Sequence, residues 1–144
     1  MAQAAAAGAS SEIAVTLLHA EDARPDDILA ADGYLFACPE NLASMAGTMK
    51  DFFDRSYYPV LGRIEGRPFG TMICAGSDGE SAARQIARIA TGWRLRPVAE
   101  PLIVCTHAQT EEAILAPKTI AEADLDRCRE LGATIATGLA LGIF

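Results

Sequence analysis

Three short, nearly unbroken apolar runs punctuate this chain: Gly33–Cys38 (GYLFAC), Phe69–Ala75 (FGTMICA) and Leu102–Thr106 (LIVCT). Runs this short and this apolar belong to strands covered on both faces, as in parallel sheets. Glu12–His19 carries Ile13, Val15, Leu17 and Leu18 and reads as a fourth strand. Helix-patterned segments separate the runs. Thr48–Tyr58 turns Met49, Phe52 and Phe53 inward and spaces Lys50 with Asp54, and Asp51 with Arg55, on its wet side. Ser77-Asp78-Gly79-Glu80 has capping-box spacing and opens a helix that runs to Thr91 and stops at Gly92. From Ile120 a last helix shows a stripe of Cys128, Leu131, Ile135 and Leu139. Pro25, followed by Asp26 and Asp27, sets up a helical turn. Residues 1–9 are strong helix formers with no cap and hardly any polar face, like the back half of a helix. Strands alternating with helices and joined by right-handed crossovers give an α/β three-layer sandwich with a parallel sheet. The expectation is one domain over residues 1–144, with strands near 12–19, 33–38, 69–75 and 102–106.

In such a sheet ligands bind beyond the carboxyl ends of the strands. The segments there are Pro39–Met45, which reads as a loop, Ala75–Gly79 and Thr106–Thr110. Charge sums to 12 − 19 = −7 with no long basic run, which argues against nucleic acid and anionic membrane as partners. The longest charge-free apolar stretch, at the tail after Leu131, is too short to span a bilayer and is interrupted by Gly132, Gly138 and Gly142. The Ala-rich start has no basic residue before it, unlike a secretory signal, so a cytoplasmic protein is expected. Cys38, Cys74, Cys105 and Cys128 are widely spaced with no histidine pattern nearby; they read as free thiols, and no metal site is expected.

Ala31–Arg55 (ADGYLFACPENLASMAGTMKDFFDR) resembles the flavodoxin-like NAD(P)H-dependent FMN and quinone reductases, which include the tryptophan-repressor-binding-protein-type quinone reductases. In that family a strand runs into a Pro-containing loop and then a Met-x-Gly-x-Met-Lys-x-Phe-x-Asp helix start; here this is Met45, Gly47, Met49, Lys50, Phe52 and Asp54. Gly66–Ser81 (GRPFGTMICAGSDGES) resembles the family's next strand and second flavin loop. The likeness covers about Ile13 to Thr106.

The resemblance implies bound FMN, NAD(P)H as electron donor and a small flavin or quinone-type acceptor. It places Pro39, Glu40, Asn41, Leu42, Ala43, Ser44 and Met45 along one edge of the flavin ring, and Ala75, Gly76, Ser77, Asp78 and Gly79 along the other side. It also implies a homodimer or homotetramer. No catalytic side chain is implied, because the flavin carries the hydride and the protein positions it. His19 and His107 read as surface or loop histidines, with His107 the nearer to a substrate. Cys38 and Trp93 read as packing residues. Tyr57 and Tyr58 border either a cleft or an interface.

Two departures bear on the cofactor. The family places an aromatic and a glycine in the first flavin loop, where this chain has Leu42 and Ala43. The family also begins with an apolar strand and a Ser/Thr/Gly/Asn-rich turn whose N–H groups and helix dipole bind the FMN phosphate; no such segment stands before Glu12. The expected strand order is 2-1-3-4-5 with the central strand lacking. Three accounts are open: the start is internal to a longer gene product, the first two remaining strands pair directly, or a second chain fills the gap. The first is favoured as the origin of the sequence. The expectation for this chain is weak FMN binding or none, with Arg55 and Arg63 as substitute phosphate ligands. The alternative function is a flavodoxin-like domain that binds no cofactor and serves in assembly. An electron-transfer flavodoxin would stack an aromatic on the ring, and neither loop contains one. A receiver domain would need an Asp where this chain has Cys38-Pro39.

Overall fold

The computed structural model describes all residues, Met1–Phe144. The three apolar runs form a parallel sheet, a flavodoxin-like α/β arrangement with helices on both sides. In chain order the elements are α1 (Ala2–Ala9), α2 (Pro25–Ala30), β1 (Tyr34–Asn41), β2 (Ser44–Met45), α3 (Gly47–Val60) and β3 (Pro68–Ala75). They continue with α4 (Glu80–Gly92), β4 (Arg96–Pro97), β5 (Leu102–Cys105), α5 (Glu111–Leu115) and α6 (Glu122–Ala140). Strand β3 is central. It pairs with β1 from Tyr34↔Phe69 to Pro39↔Cys74, and on its other side with β5 from Met72↔Leu102 to Ala75↔Cys105. The short β4 pairs with the beginning of β3 at Pro68↔Arg96.

Side-chain alternation along these strands splits the core in two. Phe36, Cys38, Phe69, Ile73 and Ala75 face α3 and α4. There Phe36, Phe52, Phe53 and Trp93 form a continuous aromatic cluster, with ring centroids 5.1 Å apart for Phe36–Phe53 and 5.4 Å for Phe53–Trp93. Trp93 is fully buried and its indole N–H donates to the Tyr57 carbonyl at 3.1 Å, so its packing role holds. On the other face Leu35, Ala37, Met72, Leu102 and Val104 meet α1 and α6. Helix α2 is too short to persist alone. The Arg67 guanidinium donates to the Ile28, Leu29 and Ala31 carbonyls at its end, and Tyr34 Oη donates to Ile28 at 2.8 Å.

The expected strand at Glu12–His19 does not form. From Ala14 to His19 the backbone has no regular structure and donates no backbone hydrogen bond; Val15, Leu17 and Leu18 are exposed. A strand exists only through its ladder, and this segment pairs with nothing, the β1 strand included. Beyond the β2 hairpin, the edge of β1 away from β3 carries no partner strand over Tyr34–Pro39. The turn after this segment is nevertheless fixed: Arg55 donates to the Ala20 and Ala23 carbonyls at 2.7 and 2.9 Å.

Burial pushes up the thiols of Cys38, Cys74 and Cys128 and the phenol of Tyr34. In the unfolded chain the thiols ionise near their ordinary value of 9.0, so above that pH the unfolded state loses protons that the folded state keeps. Stability is then present below pH 9 and falls as pH rises through the folded-state values. The urea midpoint is expected to be lower at pH 10 than at pH 8. A midpoint unchanged between the two would show that these groups titrate alike in both states.

Candidate functional site

The two segments expected to line a ligand come together at the carboxyl ends of β1 and β3. Because those strands are adjacent and parallel, Pro39 ends beside Cys74, and the following residues emerge side by side. The first segment is a hairpin and not the open loop expected from its sequence. Strand β1 continues to Asn41, Leu42 and Ala43 make a two-residue turn, and Ser44–Met45 return antiparallel as β2. Both turn residues have positive φ, 50° at Leu42 and 58° at Ala43, the pattern of a type I′ turn. Asn-Gly or Asp-Gly normally fills such a turn; an L-residue there costs about 1–2 kcal/mol. Leu42 is fully exposed at the tip.

A carboxylate ties the segments together. Glu40 Oε2 accepts from the Gly79 N–H at 3.0 Å, and Glu40 Oε1 is buried with no hydrogen-bond partner. This contact replaces the capping box expected at Ser77–Glu80. Gly79 is itself the N-cap of α4, with φ 88°, and Ser77 makes no cap bond. Its backbone could not carry a side chain, since a Cβ there would also press on Ile103 and Ala75. From the other direction, Gln85 Oε1 on α4 accepts from Ser44 Oγ at 2.9 Å and from the Met45 N–H at 3.1 Å. Met45 is buried, while Asn41, Ser77 and Asp78 are exposed. Gln85 was not legible as a site residue, because only the fold brings it against a turn forty residues earlier.

The third segment closes the same rim. The Thr106 N–H donates to the Ala75 carbonyl at 2.9 Å and the His107 N–H to the Gly76 carbonyl at 2.8 Å. His107 is exposed and has φ 55°. Three of the four non-glycine residues with positive φ, namely Leu42, Ala43 and His107, therefore lie at this one end of the sheet. Backbone strain concentrated in one place is a mark of ligand sites. His19 is remote in the chain's layout, exposed at the start of the 19–23 turn.

The hydrogen-bond inventory gives the rim a chemical character. The backbone N–H groups of Leu42, Ala43, Gly76, Ser77 and Asp78 donate no bond within the chain. Glu40 Oε1 supplies an unused acceptor among them. A flat heterocycle whose edge alternates carbonyl oxygens, ring nitrogens and one N–H is matched by this set. An isoalloxazine has such an edge, so the residues present fit the flavin ring. A phosphate is less well served here. Asp78 and Glu80 stand at the start of α4 with Glu40 beside them, so the positive helix end already faces negative charge. Of the expected substitutes, Arg55 is committed elsewhere and Arg63 follows the far end of α3, which leads away from the rim. Arg55 binds Asp51 and the 20–23 turn, and Arg63 donates to the Pro59 carbonyl. No group of three or more His, Cys, Asp or Glu residues is arranged to hold a metal ion.

Comparison with known proteins bears on this reading. A curated flavodoxin of Aquifex aeolicus (strain VF5) is 28% identical over 151 residues, covering 98% of this chain and 80% of that protein. An archaeal flavodoxin structure superposes with a TM-score of 0.74 at 18% identity, over 95% of this chain and 86% of that one. A flavodoxin, WrbA-like protein from Agrobacterium tumefaciens gives 0.64 at 22% identity, over 97% and 87%. No helix is long and apolar enough to cross a membrane. The family model described as NADPH-dependent FMN reductase matches residues 3–110, which takes in the hairpin, the Glu40–Gly79 bridge and the 106–110 rim, and the chain belongs to that family.

Proposed function

We propose that this chain is an FMN-dependent oxidoreductase with NAD(P)H as electron donor and a small flavin or quinone-type compound as acceptor. The observation that carries this is the paired rim. A strained hairpin turn at Leu42-Ala43 and the turn at Gly76–Gly79, cross-tied by Glu40, present five free N–H donors beside a buried, unpartnered carboxylate oxygen at the carboxyl end of a parallel sheet. When bound, FMN supplies the hydride chemistry. The chain's own part is to hold the ring. Leu42 and Ala43 on one side, and Gly76, Ser77 and Asp78 on the other, offer main-chain donors to its oxygens and nitrogens. Glu40 Oε1, buried without a partner, would accept from the ring's N–H, and Glu40 Oε2 fixes the spacing of the two turns. Exposed Leu42 adds an apolar surface at the rim.

The test is anaerobic. Protein loaded with FMN is mixed with NADPH, then with a quinone. Bleaching of the flavin absorbance by NADPH and its return with the quinone are expected. Glu40→Ala, which frees Gly79 and removes the acceptor, is expected to weaken ring binding on the order of tenfold or more, the scale of one lost hydrogen bond to a charged group. A flavin that stays oxidised under NADPH, or Glu40→Ala binding as wild type, would contradict the reading.

A second reading has an observation of its own: the partnerless edge of β1 and the exposed Val15, Leu17 and Leu18. Unpaired strand edges and contiguous apolar surface attract other chains. On this reading the domain serves in assembly, and it favours self-association in either case. Sedimentation at micromolar concentration is expected to show a dimer or tetramer; a compact monomer would count against it.

A further inference from the structure

We propose that the groove between the start of α3 and the outer face of α4, lined by Lys50, Ser81, Arg84, Gln85 and Arg88, holds the phosphate groups of the reduced pyridine dinucleotide. The proposal rests on the oxidoreductase reading above and gives its electron donor a place on this chain.

Charge is the first argument. The chain has twelve basic side chains and a net charge of −7. Nine of the twelve are engaged within the chain, in ion pairs, in hydrogen bonds or, for Arg96, over the Phe144 ring. Arg24, Arg84 and Arg88 are not. Two of those three line one groove of about 400 Å³. They stand four residues apart on α4, a separation of roughly 6 Å along the axis, so both heads can reach one anionic group or two neighbouring ones. Like charges at this spacing repel in the free protein, which a bound anion relieves. Lys50 of α3 lines the same groove and is held by Asp54 in an exposed pair, a type of contact that contributes little.

The helix field adds to this. Lys50 lies in the opening turn of α3, fourteen residues long, and that turn carries no acidic residue. Its positive end is therefore unneutralised, in contrast to α4 with Glu80 and α6 with Glu122 and Asp124.

Position identifies the occupant. Gln85 lines the groove and also binds Ser44 and Met45 of the hairpin, so an anion at Arg84 sits one helical residue from a side chain that touches the ring site. Met45 and Ile89 give the groove an apolar floor on which a nucleoside can lie. A ligand that is anionic at one end and must reach the flavin rim at the other has the makeup of a dinucleotide.

Adenosine 2′,5′-bisphosphate and ADP are the probes, titrated calorimetrically into the 144-residue chain and into Arg84→Ala/Arg88→Ala. The two side chains are exposed, so the double variant is expected to fold, with an unchanged thermal midpoint as the check. Its affinity for the probes is expected to fall on the order of tenfold for each arginine lost, and Arg84→Lys/Arg88→Lys is expected to restore part of it. A loss confined to the bisphosphate assigns the groove to the 2′-phosphate; an equal loss for ADP assigns it to the pyrophosphate. Absence of probe binding in the wild type, or binding indifferent to both arginines, would overturn the proposal. Riboflavin binding is measured in parallel. Ring binding without nucleotide binding removes the groove and leaves the flavin reading; the reverse leaves the groove and removes the flavin reading.

Discussion

Gly132→Val is expected to destabilise the chain by about 3 kcal/mol, the upper part of the range for overpacked cores, and to detach helix α1. A Cβ at Gly132 would land on the Ala5 carbonyl oxygen, and one at Gly8 on the Arg129 carbonyl oxygen. The two helices therefore meet through reciprocal glycines, backbone on backbone, with no flexible side chain to give way. Helix α1 has eight residues and cannot persist in water alone. Once lifted it is expected to melt, uncovering Cys128, Met72 and Val104, which it helps to bury. The measurement is a urea titration with far-ultraviolet circular dichroism at the same time. Gly47→Ala is the contrast. Nothing lies within 4 Å of a Cβ there and α3 begins at that residue, so it is expected to be neutral or stabilising by up to about 1 kcal/mol. If Gly132→Val unfolds at the wild-type midpoint, α1 is not docked as described.

The second large effect concerns the phosphate. In this 144-residue chain FMN is expected to bind no more tightly than riboflavin. FMN carries a dianion that flavodoxin-like proteins are expected to neutralise with backbone N–H donors at a helix start. The helix start nearest the rim, that of α4, is occupied by Gly79–Glu40 and flanked by Asp78 and Glu80. Arg55 and Arg63 are engaged with Asp51, the 20–23 turn and Pro59. Each hydrogen bond to a charged group contributes roughly 1.5–3 kcal/mol. Lacking two of them weakens binding by on the order of a hundredfold or more against a site that has them. Fluorescence titrations with the two flavins decide it. FMN binding a hundredfold more tightly than riboflavin would place the phosphate on other cations, the unengaged Arg84 and Arg88 beside Gln85 first among them.

Much of the fold was legible because the covered strands announce themselves. Tyr34–Cys38, Phe69–Ala75 and Leu102–Cys105 are apolar on both faces, and only burial between helix layers explains that. The same reasoning failed at Glu12–His19. Its alternating Ile13, Val15 and Leu17 satisfy the pattern of a strand, but a pattern fixes the faces of a strand and not the existence of its neighbour. Strand β4 was not legible because Arg96-Pro97 has no apolar signal; its pairing comes from lying beside Pro68. The hairpin at 39–45 looks like a loop in the sequence because Leu42-Ala43 is poor turn chemistry, tolerated here at a strained end of the sheet. The Ser77–Glu80 spacing suggests a capping box because the competing acceptor, Glu40, is distant in sequence. The positions of the two rim segments followed from strand adjacency alone; their tie through Glu40 and Gln85 did not, since no local spacing encodes it.

The claim on which all of this depends is that a flavin ring lies between the two turns. Amide chemical shifts of the labelled chain titrated with riboflavin test it most directly, because riboflavin has the ring without the phosphate. The account predicts the largest shifts at the free amides of Leu42, Ala43, Gly76, Ser77 and Asp78, with Gly79 moving as Glu40 responds. Riboflavin shifting residues elsewhere while these amides stay still, or binding nowhere on the chain, would contradict it.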